Sequence, residues 1–134
     1  MAEPKEIVRA FLEALWASDR ERAKAQLAHN AQWYFLPSLG YERPMPGHRA
    51  TDIVLDDMIG AFAEGSSLDI EMHLLLGDER NVAAEYTARS TAADGSPYEN
   101  RYCLCAVVEG GRITEIRPYT DTGPLRDLIG GTGE

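Results

Sequence analysis

Apolar residues recur at helical spacing through Ile7, Val8, Phe11, Leu12, Leu15 and Trp16, and Pro4 suits a first turn, so a helix is expected over residues 4–17. Ser18 or Asp19 then caps a second helix with a thin apolar stripe at Ala23 and Leu27, which stops near His29 and Asn30. The aromatic run AQWYFL reads as a strand ended by Pro37. From Pro37 to Gly47 the chain holds three prolines and two glycines, which makes this stretch a loop. Val54, Leu55, Met58, Ile59 and Phe62 form the stripe of a third helix, closed near Gly65.

Beyond Gly65 the period changes to two. Leu68, Ile70, Met72, Leu74 and Leu76 alternate with Asp69, Glu71 and His73, the pattern of a strand with one buried face. Gly77-Asp78 turns the chain, residues 81–91 form a further strand, and Asp94-Gly95 is a hairpin signal leading into a strand over 98–108. Gly110-Gly111 turns again into a last strand, ITEIRPYTD, after which Asp121 or Thr122 caps a short terminal turn at Pro124 to Leu128. Strands that follow one another through tight turns must be antiparallel, and the helices must cover one face of their sheet. The expected class is α+β, in one domain over residues 1–134.

The 134 residues suffice for one buried core, and the net charge of −9 repels phosphate backbones and anionic lipid surfaces. Arg20, Arg22 and Lys24 are interleaved with acids and alanines and form no basic patch, so neither a nucleic acid nor a membrane is an expected partner. The opening MAEPKEIVRAFLEALWASD has acids from the start and no long apolar run, and the expected location is cytoplasmic. Cys103 and Cys105 point to one side of a strand, in poor geometry for a disulfide, and no cluster of further Cys or His accompanies them as metal ligands.

The stretches EIVRAFLEALWASDRERAKAQLAHNAQWYF, PGHRATDIVLDDMIGAF and DGSPYENRYCLCAVVEGGRITEIRPYTD resemble the NTF2-like superfamily, in its SnoaL-like and ketosteroid-isomerase-like branch. The resemblance covers nearly the whole chain. It implies a cone in which a curved mixed or antiparallel sheet wraps around N-terminal helices and encloses a deep pocket, commonly in a homodimer. Ketosteroid isomerases use a tyrosine, an aspartate base and a protonated aspartic acid; the matching positions here hold Phe11, Phe35 or Leu36, and Cys103 or Tyr102. Limonene-type epoxide hydrolases use an Asp-Arg-Asp set with a tyrosine and an asparagine. The matching positions here hold Ala88, Tyr86 and Pro118, with Trp33 and Phe35 replacing the pair that holds the water. The resemblance therefore implies the fold without either of these two catalytic sets, while an arrangement like that of polyketide cyclases or dehydratases, with an Asp or His as acid–base group, stays open.

Strand parity selects the side chains that meet inside. Val82, Ala84, Tyr86 and Ala88 share one face of their strand, and Tyr98, Asn100, Tyr102 and Leu104 share one face of the next. Tyr86, Asn100 and Tyr102 are then candidates to polarise a ligand carbonyl, or else they fill core space. Trp16, Trp33, Phe35 and Phe62 are candidates for an aromatic wall. Asp121, which ends the last strand, and His48, before the third helix, are the candidate proton carriers, although capping explains Asp121 equally well. His73 shares parity with Asp69 and Glu71 and belongs on the outer face. The functional expectation is a SnoaL-like protein that binds a small hydrophobic carbonyl or cyclic compound. In one reading it also transforms that compound by cofactor-free and metal-free acid–base chemistry; in the other it is a non-catalytic binding or dimerisation module.

Overall fold

The computed structural model describes residues 2–130. Helix α1 (Pro4–Trp16) carries Pro4 in its first turn and buries Ile7, Val8, Phe11, Leu12, Ala14, Leu15 and Trp16 along one side. Each large side chain so buried is worth roughly 1.5–3 kcal/mol, and this stripe is the helical half of the core. Asp19 caps α2 (Arg20–Ala25), accepting a hydrogen bond from the Arg22 amide at 3.2 Å.

Strand β1 (Leu27–Trp33) starts earlier than the apolar pattern suggests. Ala23 and Leu27 are four apart and mimic a helical stripe, but Leu27 opens a strand that pairs with Ile113. His29 and Asn30 are therefore exposed strand residues in a register shift of β1, and not the end of a helix. The two-residue strand β2 (Met45–Pro46) pairs back onto Trp33 and Gln32. Helix α3 (Gly47–Ile53) also begins earlier than expected, and it runs on through a wide turn at Val54–Met58 and a tight one at Ile59–Ala61. Its first residue must be small, because a Cβ on Gly47 would lie 2.9 Å from the Cβ of Ala31.

The long strands follow as β3 (Asp69–Gly77), β4 (Asn81–Thr91), β5 (Pro97–Glu109) and β6 (Arg112–Thr120), and α4 (Thr122–Gly130) closes the described chain. The sheet order is β2-β1-β6-β5-β4-β3, antiparallel throughout except for the parallel β1–β6 pair. This is the mixed α+β architecture expected, with the helices on one face of a curved sheet.

One strand departs from its alternation. Between Met72 and Leu74 the β3–β4 register shifts, so that Met72 opposes Tyr86 whereas Leu74 opposes Glu85. The bulge inverts the phase of all that follows. Leu74 and Leu76, expected inward, are 46% and 56% exposed, and Leu75 packs against the core instead. No helix among the described residues is long and apolar enough to cross a membrane.

Candidate functional site

The even-numbered face of β4 and β5 carries Tyr86 directly opposite Tyr102, with Ala88 opposite Asn100 and Ser90 opposite Tyr98. The short alanine beside Tyr86 leaves room for its ring to lie flat on that of Tyr102, with centroids 5.2 Å apart and 7° between planes. Trp16, the last residue of α1, meets both tyrosines edge-on at 6.3 and 5.7 Å. Phe62 closes on Trp16 from one side, at 6.4 Å. On the β1 side, Trp33 packs between Phe11 at 6.2 Å and Phe35 at 5.5 Å.

All of these rings except Phe11 border a partly open cavity of about 60 Å³. Its remaining wall is aliphatic: Leu36 and Leu39 from the loop after β1, Val54, Met58 and Ile59 from the turns after α3, Leu104 and Pro118 from the sheet, and Leu125 and Leu128 from α4. Among the described residues that line it there is no Asp, Glu, His, Lys, Arg or Cys. Thr120 reaches the wall too, but its hydroxyl donates to the Arg101 carbonyl at 2.7 Å.

The polar atoms in and beside the wall form two sets. In the first, the Trp16 indole N–H donates to the Tyr86 hydroxyl oxygen at 3.2 Å. In the second, the Asn100 side-chain amide donates to the Tyr98 hydroxyl at 3.1 Å and to the Asp121 carbonyl at 2.9 Å, and the Tyr98 and Tyr102 hydroxyls lie 2.6 Å apart. Burial is the first cause that raises the pKa of Tyr86, of Tyr98 and of Tyr102 above the ordinary phenol value; for Tyr98 the nearby Asp121 carboxylate adds to the rise. All three are neutral hydrogen-bonding groups at neutral pH. One buried side-chain atom among those described has no partner at all: the indole nitrogen of Trp33. Leaving such a donor unpaired costs roughly 1–3 kcal/mol.

Trp16, Trp33, Phe35, Phe62, Tyr86 and Tyr102 thus all border one space. Asn100 is buried beside it and anchors Tyr98 and the start of α4. Asp121 and His48 are not among the lining residues. The Asp121 carboxylate accepts from the Gly123 amide at 2.9 Å and caps α4, and the His48 ring contacts the Ala28 carbonyl at 3.3 Å. His73 lies on the outer face, 2.7 Å from the Thr87 hydroxyl. Cys103 and Cys105 are free thiols. The contribution of Leu125 and Leu128 had no counterpart in the strand pattern, since parity says nothing about where a terminal helix docks. Tyr98 did carry a signal, its even parity with Asn100 and Tyr102. No group of three or more His, Cys, Asp or Glu that would hold a metal ion occurs among the described residues.

The model of the SnoaL-like domain family matches residues 8–116. No curated protein matches the chain. Among solved structures, wild-type IdmH, a putative polyketide cyclase from Streptomyces antibioticus, is 19% identical with a TM-score of 0.76, covering 96% of this chain and 99% of that one. An LEH-like epoxide hydrolase from M. tuberculosis is 24% identical with a TM-score of 0.67, covering 92% and 86%. An NTF2-like protein of unknown function from Burkholderia pseudomallei K96243 is 20% identical with a TM-score of 0.75, covering 96% and 98%. At these identities the likeness establishes the NTF2-like cone and not an activity.

Proposed function

Because the chain belongs to the SnoaL-like domain family, we propose that its aromatic cavity binds a small apolar compound of cyclic character and holds it without acid–base turnover. The observation that carries this reading is the wall itself: aromatic and aliphatic apart from Thr120, with no carboxylate or imidazole among the described lining residues. Apolar concave sites with a few fixed polar atoms are the usual form of small-molecule pockets.

The neighbours named as an epoxide hydrolase and a putative polyketide cyclase suggest catalysis. Such reactions need a group that takes up a proton near neutral pH at the reacting atom. The buried tyrosines do not, since burial favours their neutral form. The proton-carrier roles expected for Asp121 and His48 are set aside because neither residue lines the cavity: one side chain caps α4 and the other contacts the backbone of β1.

We further propose a cytoplasmic homodimer. Two free thiols on one strand suit a reducing compartment, and the outer sheet face presents Leu74, Leu76 and Tyr119 to solvent.

The binding reading is tested by protein-detected NMR titration with cyclic ketones, terpenes and aromatic polyketide fragments. Shifts confined to the side chains of the cavity wall are expected, with no product formed. A panel that leaves those resonances unmoved defeats the binding claim. Turnover that collapses in Asp121→Asn or His48→Gln defeats the claim that the site is not catalytic.

A further inference from the structure

The protein has two cysteines, and both stand on β5, separated by one residue. Side chains two positions apart on a strand share a face. Cys103 and Cys105 therefore lie together on the outer face of the sheet, away from Tyr102 and Leu104, which line the cavity. Each is a free, half-buried thiol. Register puts Glu85 and Tyr119 beside Cys103, and Ala83 and Arg117 beside Cys105. Valine or threonine would serve a strand equally well at both positions, so packing does not account for two thiols side by side.

The spacing decides what the pair can hold. Two residues of strand span roughly 6.4–6.8 Å, the far limit of the Cα separations found across a disulfide. Side chains that stand parallel leave their Cβ atoms equally far apart, well beyond the separation of about 3.8 Å that a disulfide needs. An ion inserted between the sulfurs removes this mismatch. A linear sulfur–metal–sulfur unit with bonds of about 2.3 Å spans about 4.6 Å, which the two side chains reach by leaning toward each other. Among the described residues, no third His, Cys, Asp or Glu joins them in a larger ligand set. Zinc, which takes three or four protein ligands, is thereby disfavoured. Soft thiolates select monovalent copper, and two of them satisfy an ion of that class.

We propose that Cys103 and Cys105 form a two-thiolate site for a soft monovalent ion of the copper group, on the face opposite the aromatic cavity. The inference is independent of the binding reading above. Two thiols and one monovalent ion give a singly negative bis-thiolate and two released protons, with no change of oxidation state. The flanking Arg117 and Glu85 carry opposite charges and offset each other around it.

The test titrates copper(I), buffered by a coloured chelator under anaerobic, thiol-free reducing conditions, into the wild-type chain. It is run at concentrations where sedimentation shows a monomer, so that contact between copies does not cover the thiols. Native mass spectrometry should show one ion per chain. Cys103→Ser and Cys105→Ser should each lower the affinity at least about 100-fold, because the remaining thiolate loses a partner held at high effective concentration. Moving one thiol, in a Cys105→Ser/Val107→Cys double variant, keeps both on the same face but doubles their separation. That variant should bind as weakly as the single ones, and circular dichroism should show all three folded. Zinc should not bind at the same concentrations. No uptake by the wild type, or one ion shared between two chains, overturns the site. So do single variants within about twofold of wild type, a displaced pair that binds as tightly, or tight zinc binding.

Discussion

Tyr86, Tyr98 and Tyr102 place three phenols where water has little access, and this has a consequence at high pH. In the unfolded chain each ionises near the ordinary value of 10.0, whereas in the folded chain burial holds each above it. The folded state thus favours the protonated form. Its stabilising contribution is complete below about pH 10 and is lost as the pH rises through the raised folded values. Phenolate absorbance from these three residues should therefore appear together with the loss of circular dichroism, not ahead of it. Replacing Tyr86 by Phe should reduce the amplitude of that coupled step. Full ionisation of all three while the far-ultraviolet spectrum stays native would show that the tyrosines are accessible and the wall is not closed. At this scale much was legible beforehand. Period-two alternation put Tyr86 and Tyr102 on one face, and the register sets them directly opposite. The unpaired Trp33 nitrogen was not legible, because it depends on which rings surround it after folding.

The elements explain why other parts of the site escaped the pattern. Leu74, Leu75 and Leu76 are consecutive, so this stretch satisfies either phase of a strand, and the alternation set by Ile70 and Met72 runs on without contradiction. The bulge at His73 selects the other phase, with the ring on the Thr87 hydroxyl and the backbone one residue out of step. Helix α4 is the second case. A short terminal turn at Pro124 to Leu128, capped by Asp121 or Thr122, was readable, but not that it supplies Leu125 and Leu128 to the cavity wall. Leu128 also borders an outer pocket between α4 and the β4–β5 hairpin, so it stands as a partition between the two spaces. The inner space of about 60 Å³ is smaller than an engineered apolar cavity of about 150 Å³ that takes benzene. A ring-sized ligand must therefore displace part of the wall, and α4 is the terminal element of the described chain. Truncation by Leu128→Ala should cost about 2–5 kcal/mol in urea unfolding and should tighten the binding of bicyclic ketones relative to cyclohexanone. Tightening of neither, with the stability loss present, would show that Leu128 is core filling and that ligand enters elsewhere.

For the molecule as a whole, the bulge has a consequence on the opposite face of the sheet. Register carries Leu74 across to Glu85, then to Cys103, then to Tyr119, and it carries Leu76 across to Ala83, Cys105 and Arg117. These two parallel rows form an apolar strip with a few charges, in which Leu74, Leu76 and Tyr119 are 46%, 56% and 50% exposed. Some of the charges nearby are matched within one chain: Arg89 holds Glu71 and Glu99, each at 2.9 Å, and Arg117 holds Glu115 at 2.6 Å. A stable dimer buries about 800 Å² per partner, roughly a ninth of the 7083 Å² surface of this chain. If two such faces pair, the association is driven by apolar burial and opposed by the net charge of −9 on each copy. Raising the ionic strength from about 0.01 to 0.15 M shortens the screening length from about 30 to 8 Å, and so it should strengthen the dimer in sedimentation equilibrium. Leu76→Lys should produce a monomer whose thermal unfolding no longer depends on concentration, and its fold should survive because the side chain is more than half exposed in the single chain. A wild-type chain that stays monomeric at about 100 μM in both salts, or a Leu76→Lys variant that remains dimeric, would remove this face as the interface. The aromatic cavity, on the other face of the same strands, should be unaffected by either result.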